Sequence, residues 1–375
     1  MTALARRAEP VSENGHFLRR PGQLERTILF AALFTYAWGT PPEWFSFASS
    51  RAAESSPLTQ ALYLGFFLNT VLALNGNWHV VLTAAKREPL VPFFVAFATF
   101  STVWSTVPMA TLQQGIVLSI TFVTAMHLVV RFTTREMVRM LAFVFAAGAL
   151  LNLGFIAAFE GAIDSVSVAV STEAGTGSDW RGVTTSKNTL GRSGVLGFVV
   201  CIIQARAVRS RLIWPGFAVL NAVLVLGSNS ATSLGALIGI SVLGVVFLGF
   251  RGRKTLYGAT MVAMVVVFSA LTTLAATNLV AATGLLGKDS SFTGRLPIWE
   301  DSFDYGISQR PILGHGLGGF WQHGSVDFEV QVRSRSFDVR HAHNAWIDAM
   351  LEFGPLGAIL LTAIFVRGLL WSTRN

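Results

Sequence analysis

The sequence predicts an all-α, polytopic integral membrane protein with about ten transmembrane helices and a long periplasmic loop. Hydrophobic side chains make up 52% of the 375 residues and charged ones only 13%. The mean hydropathy of +0.55 exceeds what one water-soluble core can bury. Apolar runs of about 17 to 25 residues, the length that crosses about 30 Å of hydrocarbon as a helix, recur along the chain. Short clusters of basic residues separate these runs.

The apolar runs predict ten spans, with boundaries good to about three residues. They are 27–48, 58–80, 90–107, 110–130, 137–159, 188–206, 212–228, 231–250, 256–283 and 344–371. The arginine-rich segment before the first span loosely resembles a signal peptide, but further spans follow, which favours an uncleaved arm. The predicted organisation is a cytoplasmic N-terminal arm, a helical bundle, a periplasmic catalytic loop and a final helix with a cytoplasmic C-terminus, over 1–26, 27–283, 284–343 and 344–375.

The basic residues predict the orientation of the chain. If the N-terminal arm is cytoplasmic, four successive inner loops contain lysine or arginine, as the positive-inside rule requires. These residues are Lys86, Arg87, Arg131, Arg135, Arg139, Arg206, Arg209, Arg211, Arg251, Arg253 and Lys254. The loops near 160–187 and 284–343 fall on the opposite side and are long. A long extracytoplasmic loop is where a membrane enzyme can meet water-soluble substrate.

Several classes of function are excluded by what the sequence lacks. The net charge of +8 comes from the inner-loop clusters, which indicates membrane topology and no nucleic-acid partner. Cys201 is the single cysteine, so neither a disulfide nor a cysteine metal site is available. The segment "ATGLLGKDS" around Lys288 departs from the phosphate-binding loop of nucleotide enzymes at Ala282 and Asp289. We expect no nucleotide and no cofactor.

The segment "SDWRGVTTSKNTLGRSG", residues 178–194, contains the first group of candidate binding residues. Arg181, Lys187 and Asn188 lie just before a predicted span, and Arg192 lies just inside it. An ionisable group within a span is costly unless it has a function or a partner. The three cations are therefore candidates for binding an anionic headgroup, and anchoring of the helix end is the alternative.

The segment "SFTGRLPIWEDSFDYGISQRPILGHGLGGFW", residues 291–321, places Arg295 four residues before Trp299. A guanidinium group is permanently charged and binds phosphate oxygens through two parallel hydrogen bonds. Arg295 at a bilayer surface therefore suits a lipid phosphate or diphosphate. The alternative is that Arg295 extends to the interface or pairs with Glu300 or Asp301.

The segment "VRHAHNAWIDAMLEFGPLG", residues 339–357, sets His341 and His343 where an apolar helix begins. Asn344 is a preferred N-cap, and Gly354 followed by proline predicts the end of the first helical turns. Helix capping does not account for two imidazoles at the boundary between water and lipid. Histidine suits proton transfer near neutral pH, which favours a general-base role.

A metal site is the rival interpretation of the two histidines. Two ligands are too few, and Asp338, Asp348 or Glu352 would have to complete the site. No recognised zinc spacing such as H-E-x-x-H is present. We therefore expect no metal.

Six motifs in this order resemble the O-antigen ligase and O-antigen polymerase superfamily, in particular its exopolysaccharide polymerase branch. They are "WS…P" at Trp104, Ser105 and Pro108, then "RGVTTSKNTLG", "SNSATS", "TGRLPIWEDS", "PILGHGLGGFW" and "HAHNAWIDAMLEFGPLG". The resemblance extends from about residue 90 onward and is strongest over 291–357. It implies a GT-C-like membrane glycosyltransferase of the bacterial inner membrane.

The resemblance also implies roles for individual residues. The histidine of the family's His-Asn pair matches His343, the expected base, and the arginine of its Gly-Arg…Trp motif matches Arg295, an expected diphosphate ligand. Many ligases carry an arginine directly after a serine where this chain reads "SNSATS". Because that arginine is absent here, Arg181 is the expected second ligand. Candidates for supporting roles are Asn188, Trp299, Asn344 and Glu352, with His341 as a second catalytic candidate.

The expected function is polymerisation of undecaprenyl-diphosphate-linked oligosaccharide repeat units at the periplasmic face, without metal. Transfer of finished glycan to another acceptor, as in a ligase, is the close alternative. A transporter of lipid-linked sugars is the rival from another class, but it would place its charges around a midplane cavity. The expected partners are the lipid-linked glycan, the bilayer, and a flippase and a chain-length regulator of the same pathway.

Overall fold

The computed structural model describes residues 21–45, 56–159, 163–164, 179–208, 212–249, 295–321, 341–342 and 344–374. Its α-helices are α1 (Gln23–Trp38), α2 (Pro41–Trp44), α3 (Pro57–Leu74), α4 (Trp78–Arg87), α5 (Leu90–Phe100), α6 (Pro108–Arg131), α7 (Thr134–Ala158), α8 (Lys187–Ala207), α9 (Ile213–Gly227), α10 (Ala231–Gly249), α11 (Arg295–Asp301) and α12 (Ala345–Arg374). A 3-10 turn (Ser101–Val103) extends α5, and a π-helix (Ser302–Ile307) continues α11. Two short strands, β1 (Ile163–Asp164) and β2 (Asp179–Trp180), pair antiparallel. The all-α prediction did not include this pair.

Several of these helices are long and apolar enough to cross a membrane. Within the described ranges they are Pro108–Arg131, Thr134–Ala158, Lys187–Ala207 and Ala345–Gly368, and the bent pair Pro57–Ala73 and Trp78–Arg87 adds a fifth if it forms one span. Leu90–Val103, Ile213–Gly227 and Ala231–Val246 are apolar but shorter. The chain is therefore helical and multi-pass, as predicted. The number of ten spans stays a prediction, since 256–283 and much of 284–343 lie outside the described residues.

Two predicted spans run past a helix break. The first, 27–48, continues beyond Trp38, where α1 ends because Gly39 adopts a φ of 77°. The second, 58–80, contains the break between α3 and α4, where Gly76 also has a φ of 77°. This left-handed conformation is accessible to glycine at little cost and terminates a helix. A hydropathy average over a whole span does not register a break of a few residues, although Pro41 after Gly39 and the asparagines on both sides of Gly76 are turn signals.

The described helices group into two units. The first contains α1, α2, most of α3 and α7 to α10, and Trp38 lies at the centre of its core with Phe145 and Leu190. The Trp38 indole N–H donates to the Val144 carbonyl over 3.2 Å. A Cβ at Gly148 would lie 2.0 Å from the indole nitrogen. Glycine is thus required where this tryptophan crosses α7.

Helices α8 and α9 of this unit pack closely through glycines. A Cβ at Gly194 would lie 2.8 Å from the Val225 side chain, and one at Gly197 would lie 2.1 Å from the Asn221 amide oxygen. The small residues of "LGRSGVLGF" therefore allow the close approach of these helices. The glycines of "SLGALIGIS" differ, because a Cβ at Gly235 or Gly239 meets nothing within 4 Å.

The second unit contains α4 to α6, α11 and α12. Its core brings α11, the glycine-rich segment 310–321 and the start of α12 together. The buried residues of this cluster are Ile298, Phe320, Trp321, Ala342, Ile347 and Leu351. The three motifs within 291–357, where the family resemblance is strongest, thus share one core.

Candidate functional site

The last helix begins at Asn344, as the sequence predicts. The Asn344 side-chain oxygen accepts hydrogen bonds from the backbone N–H groups of Trp346 and Ile347, over 3.0 and 3.4 Å. These bonds satisfy two N–H groups that lack partners within the helix. Gly354, with a φ of 65°, interrupts α12 after its first turns, and helix resumes beyond it. His343 itself lies outside the described residues.

Ala342, the residue directly before His343, is held through both of its backbone groups. Its N–H donates to Asp348 Oδ1 over 2.8 Å, and its carbonyl accepts the Trp299 indole N–H over 2.8 Å. Asp348 Oδ1 also accepts the Trp321 indole N–H over 3.0 Å. Ala342 is fully buried. The chain is therefore fixed immediately before His343 by these bonds and immediately after it by the Asn344 cap.

The glycine-rich segment 310–321 lies against the interruption of α12. The N–H groups of His315 and Gly316 donate to the carbonyls of Leu351 and Glu352, over 2.8 and 2.9 Å. The Leu351 carbonyl is available because its helical partner would be Pro355, which has no N–H. The proline of "FGPLG" thus leaves the Leu351 carbonyl able to accept a hydrogen bond from the loop.

Two glycines make this contact possible. A Cβ at Gly314 would lie 2.5 Å from the Glu352 backbone, and one at Gly354 would lie 2.1 Å from the Ile312 carbonyl oxygen. The Glu352 side chain lies within hydrogen-bond reach of the Gly318 backbone N–H. Glu352 therefore contacts the loop, and its supporting role in the site stays a prediction.

The "WS…P" motif lies on the same glycine-rich segment. The Trp104 indole N–H donates to the Leu313 carbonyl over 2.9 Å, and Arg310 donates to the Trp104 carbonyl over 2.8 Å. The Leu317 N–H donates to the Ser101 hydroxyl over 2.9 Å. The motifs "WS…P", "PILGHGLGGFW" and "HAHNAWIDAMLEFGPLG" therefore meet in the second unit.

Arg295 is the first residue of α11, and the structure describes its backbone only. Trp299 follows one turn later, so the two residues share one face of the helix. Because Trp299 donates to the Ala342 carbonyl, α11 is tied to the residue before His343. The backbone of Arg295 is thus anchored to the segment that carries the predicted base.

The first unit holds the remaining candidates, at the start of α8. Lys187 forms an ion pair with Asp179 over 2.6 Å, and Asp179 also accepts the Asn229 amide N–H over 2.9 Å. The Asn188 side-chain oxygen accepts the Ser230 hydroxyl over 2.8 Å. The motifs "RGVTTSKNTLG" and "SNSATS" are therefore in contact, and Asp179 compensates the charge of Lys187.

The two arginines of this region differ in environment. Arg181 is buried, and its guanidinium donates to the Thr184 carbonyl over 3.4 Å. Arg192 is exposed and, in the part of the chain that the structure describes, makes no hydrogen bond or ion pair. Its charge lies on α8 less than two turns from the helix start. Of the cations in this region, Arg192 is the most available to a ligand.

Sequence reasoning missed the structural importance of four residues. Asp348 was considered only as a possible metal ligand, and Trp321, His315 and Asp179 were not singled out. His315 is fully buried and its Nε2 donates to the Gly306 carbonyl over 3.0 Å. An acid in the first turns of an apolar helix was the available signal for Asp348. Among the described residues, no group of three potential ligands is placed to hold a metal ion.

Comparison with known proteins agrees with the motifs. Residues 216–362 match the O-antigen ligase family. The chain is 28% identical over 369 residues to the exopolysaccharide production protein ExoQ of Rhizobium meliloti (strain 1021), and the alignment covers 93% of this chain and 77% of that protein. No solved structure matches. The predicted resemblance to the O-antigen ligase and polymerase superfamily, with an ExoQ-like relative, is confirmed.

Proposed function

We propose, from its similarity to O-antigen ligases and to ExoQ, that this protein is a membrane glycosyltransferase that polymerises lipid-linked repeat units into exopolysaccharide. Its donor would be an undecaprenyl-diphosphate-linked oligosaccharide, used at the periplasmic face of the bacterial inner membrane. A flippase would supply the donor, and a chain-length regulator would act on the product. The observation that carries the proposal is the 2.8 Å bond between Trp299 and Ala342. It ties the helix that begins with Arg295 to the residue before His343.

The proposed reaction needs a base and a cationic site. A sugar hydroxyl is a weak nucleophile, so His343 takes its proton as the oxygen attacks the anomeric carbon of the donor. The bond between that carbon and the diphosphate breaks, and the lipid diphosphate leaves with the electron pair. Arginine side chains stabilise the negative charge that develops on the leaving oxygen. The proton held by His343 then passes to solvent or to the diphosphate, which restores the base.

The environments of the cations change the choice of second diphosphate ligand. The sequence favoured Arg181, but its guanidinium is buried against the backbone of its own segment. Lys187 is compensated by Asp179. Arg192 is exposed, and we propose it as the cation of this region that binds a diphosphate. Arg181 and Lys187 instead stabilise the segment before α8.

Arg192→Ala is expected to weaken donor binding about ten- to a hundredfold, the size of a lost hydrogen bond to a charged group. The Michaelis constant for a lipid-diphosphate donor, measured with purified protein in bilayers, would report the change. Arg206→Ala is the matched control, because Arg206 lies exposed in the last turn of the same helix. Equal effects of the two variants would show that Arg192 acts only through general surface charge.

The function itself is tested by turnover of a defined donor. Purified protein in vesicles, given a lipid-diphosphate-linked repeat unit alone, is expected to release lipid diphosphate and form glycans of two or more units. A ligase would need a separate acceptor before any product appeared. A transporter would move the donor across the bilayer and leave it intact. Either outcome would replace the polymerase proposal with the corresponding alternative.

A further inference from the structure

We infer that Asp348 and Trp299 are positioning residues, which hold Ala342 and thereby orient His343 for proton transfer. The inference rests on the proposed function, since it assumes that His343 is the base. It concerns two side chains that need not touch the substrate. We call their two hydrogen bonds to Ala342 the Ala342 clamp.

The clamp acts on the backbone that carries His343. The Trp299 bond fixes the orientation of the Ala342 carbonyl, the last backbone group that the structure describes before His343. The Asp348 bond fixes the preceding peptide group through the Ala342 N–H. On the other side, the Asn344 carbonyl accepts the Asp348 backbone N–H over 2.9 Å.

Burial strengthens the clamp. Ala342 is fully buried in the cluster formed with Ile347 and Leu351. Buried backbone groups need hydrogen-bond partners, and the Asp348 side-chain oxygen supplies one for the Ala342 N–H. Asp348 also lies in the first turn of α12, where a negative charge is favourable. An acid near the start of an apolar helix is therefore explained by its bond to the segment before His343.

A positioning role differs measurably from a merely structural one. A base that is displaced by about 1 Å can lose roughly a hundredfold in rate while the substrate still binds. Loss of the clamp should therefore lower kcat and leave the Michaelis constant for the donor unchanged. A variant that was only less stable would yield less folded protein. Its kcat per folded molecule would stay at the wild-type value.

Comparison of Asp348→Asn with Asp348→Ala separates the effect of the two hydrogen bonds from the effect of the charge. Asp348 Oδ1 accepts both bonds, from Ala342 and from Trp321. Asparagine keeps an oxygen at that position, so Asp348→Asn should retain most of the turnover. Asp348→Ala removes the acceptor and should lower kcat about ten- to a hundredfold. Trp299→Phe removes the other half of the clamp and should lower kcat in the same way.

Trp346→Phe is the control for loss of an indole hydrogen bond. Trp346 lies on the same helix, and its indole N–H donates to Thr362 over 3.0 Å, away from Ala342. Its kcat should equal that of the wild type. The assay is transfer from a lipid-diphosphate-linked repeat unit, with folded protein counted by size-exclusion chromatography in detergent. If Asp348→Ala does not fold, Trp299→Phe and Asp348→Asn still decide the result.

Three outcomes would overturn the inference. Wild-type kcat in both Asp348→Ala and Trp299→Phe would show that the clamp has no role in turnover. Equal damage from Asp348→Asn and Asp348→Ala would assign the effect to charge. A change confined to the donor Michaelis constant would assign it to binding. Failure of the proposed function is distinguishable, because wild-type protein would then release no lipid diphosphate, or His343→Ala would be fully active.

Discussion

Replacing His343 with alanine is expected to abolish transfer from a lipid-diphosphate donor, with folding intact. A general base contributes about 10²- to 10⁴-fold to a rate, and the acceptor hydroxyl has little reactivity without one. The chain is held on both sides of His343, by the Ala342 clamp and by the Asn344 cap. A base needs this fixed geometry as well as a suitable proton affinity. Release of lipid diphosphate by purified protein is the measurement.

His341→Ala is the matched comparison and is expected to reduce transfer only partly. His341 is exposed and lies within electrostatic reach of Asp348. It precedes the clamped residue, whereas His343 lies between the clamp and the helix cap. Full turnover by the His343→Ala protein would end the assignment of the base. Equal loss in both variants, restored by added zinc, would favour the metal site instead.

The start of α12 could be predicted from sequence because its signals are local. Asn344 caps residues two and three positions away, and Gly354 breaks the helix directly before a proline. Capping and chain breaks depend on a few neighbouring residues and their backbone preferences. Hydropathy likewise located α6, α7, α8 and α12, whose apolar stretches are long and continuous.

The contacts around Ala342 could not be predicted, because they join distant parts of the chain. Trp299 lies 43 residues before Ala342, and Ser101 lies 216 residues before Leu317. No sequence period or spacing specifies which backbone group a buried indole or hydroxyl will reach. Asp348 was therefore considered only as a possible metal ligand, although its visible structural role is to accept two hydrogen bonds.

The cations before and within α8 show a second limit. Sequence places Arg181, Lys187 and Arg192 within 12 residues of each other and does not show which of them is buried or paired. Burial of Arg181 and the ion pair between Lys187 and Asp179 are tertiary properties. They leave Arg192 as the exposed cation of the three, and which of them binds a diphosphate stays a prediction.

Replacing Arg295 with lysine is expected to lower turnover about a hundredfold, although the charge is kept. Lysine offers a point charge on a flexible stem and loses the planar pair of N–H donors that grips a diphosphate. Loss of one donor to a developing oxyanion costs about 10²- to 10³-fold in kcat. Arg295 begins α11, whose Trp299 is bonded to the residue before His343, so the position of its backbone relative to that segment is defined.

Arg310→Lys provides the control for Arg295→Lys. Arg310 lies in the same part of the chain, and its guanidinium donates one hydrogen bond to the Trp104 carbonyl over 2.8 Å, a bond that lysine can also form. Turnover close to wild type is therefore expected. Both variants are compared as polymer formed per folded molecule from a lipid-diphosphate donor. Wild-type activity in Arg295→Lys would mean that Arg295 only anchors the loop at the membrane surface.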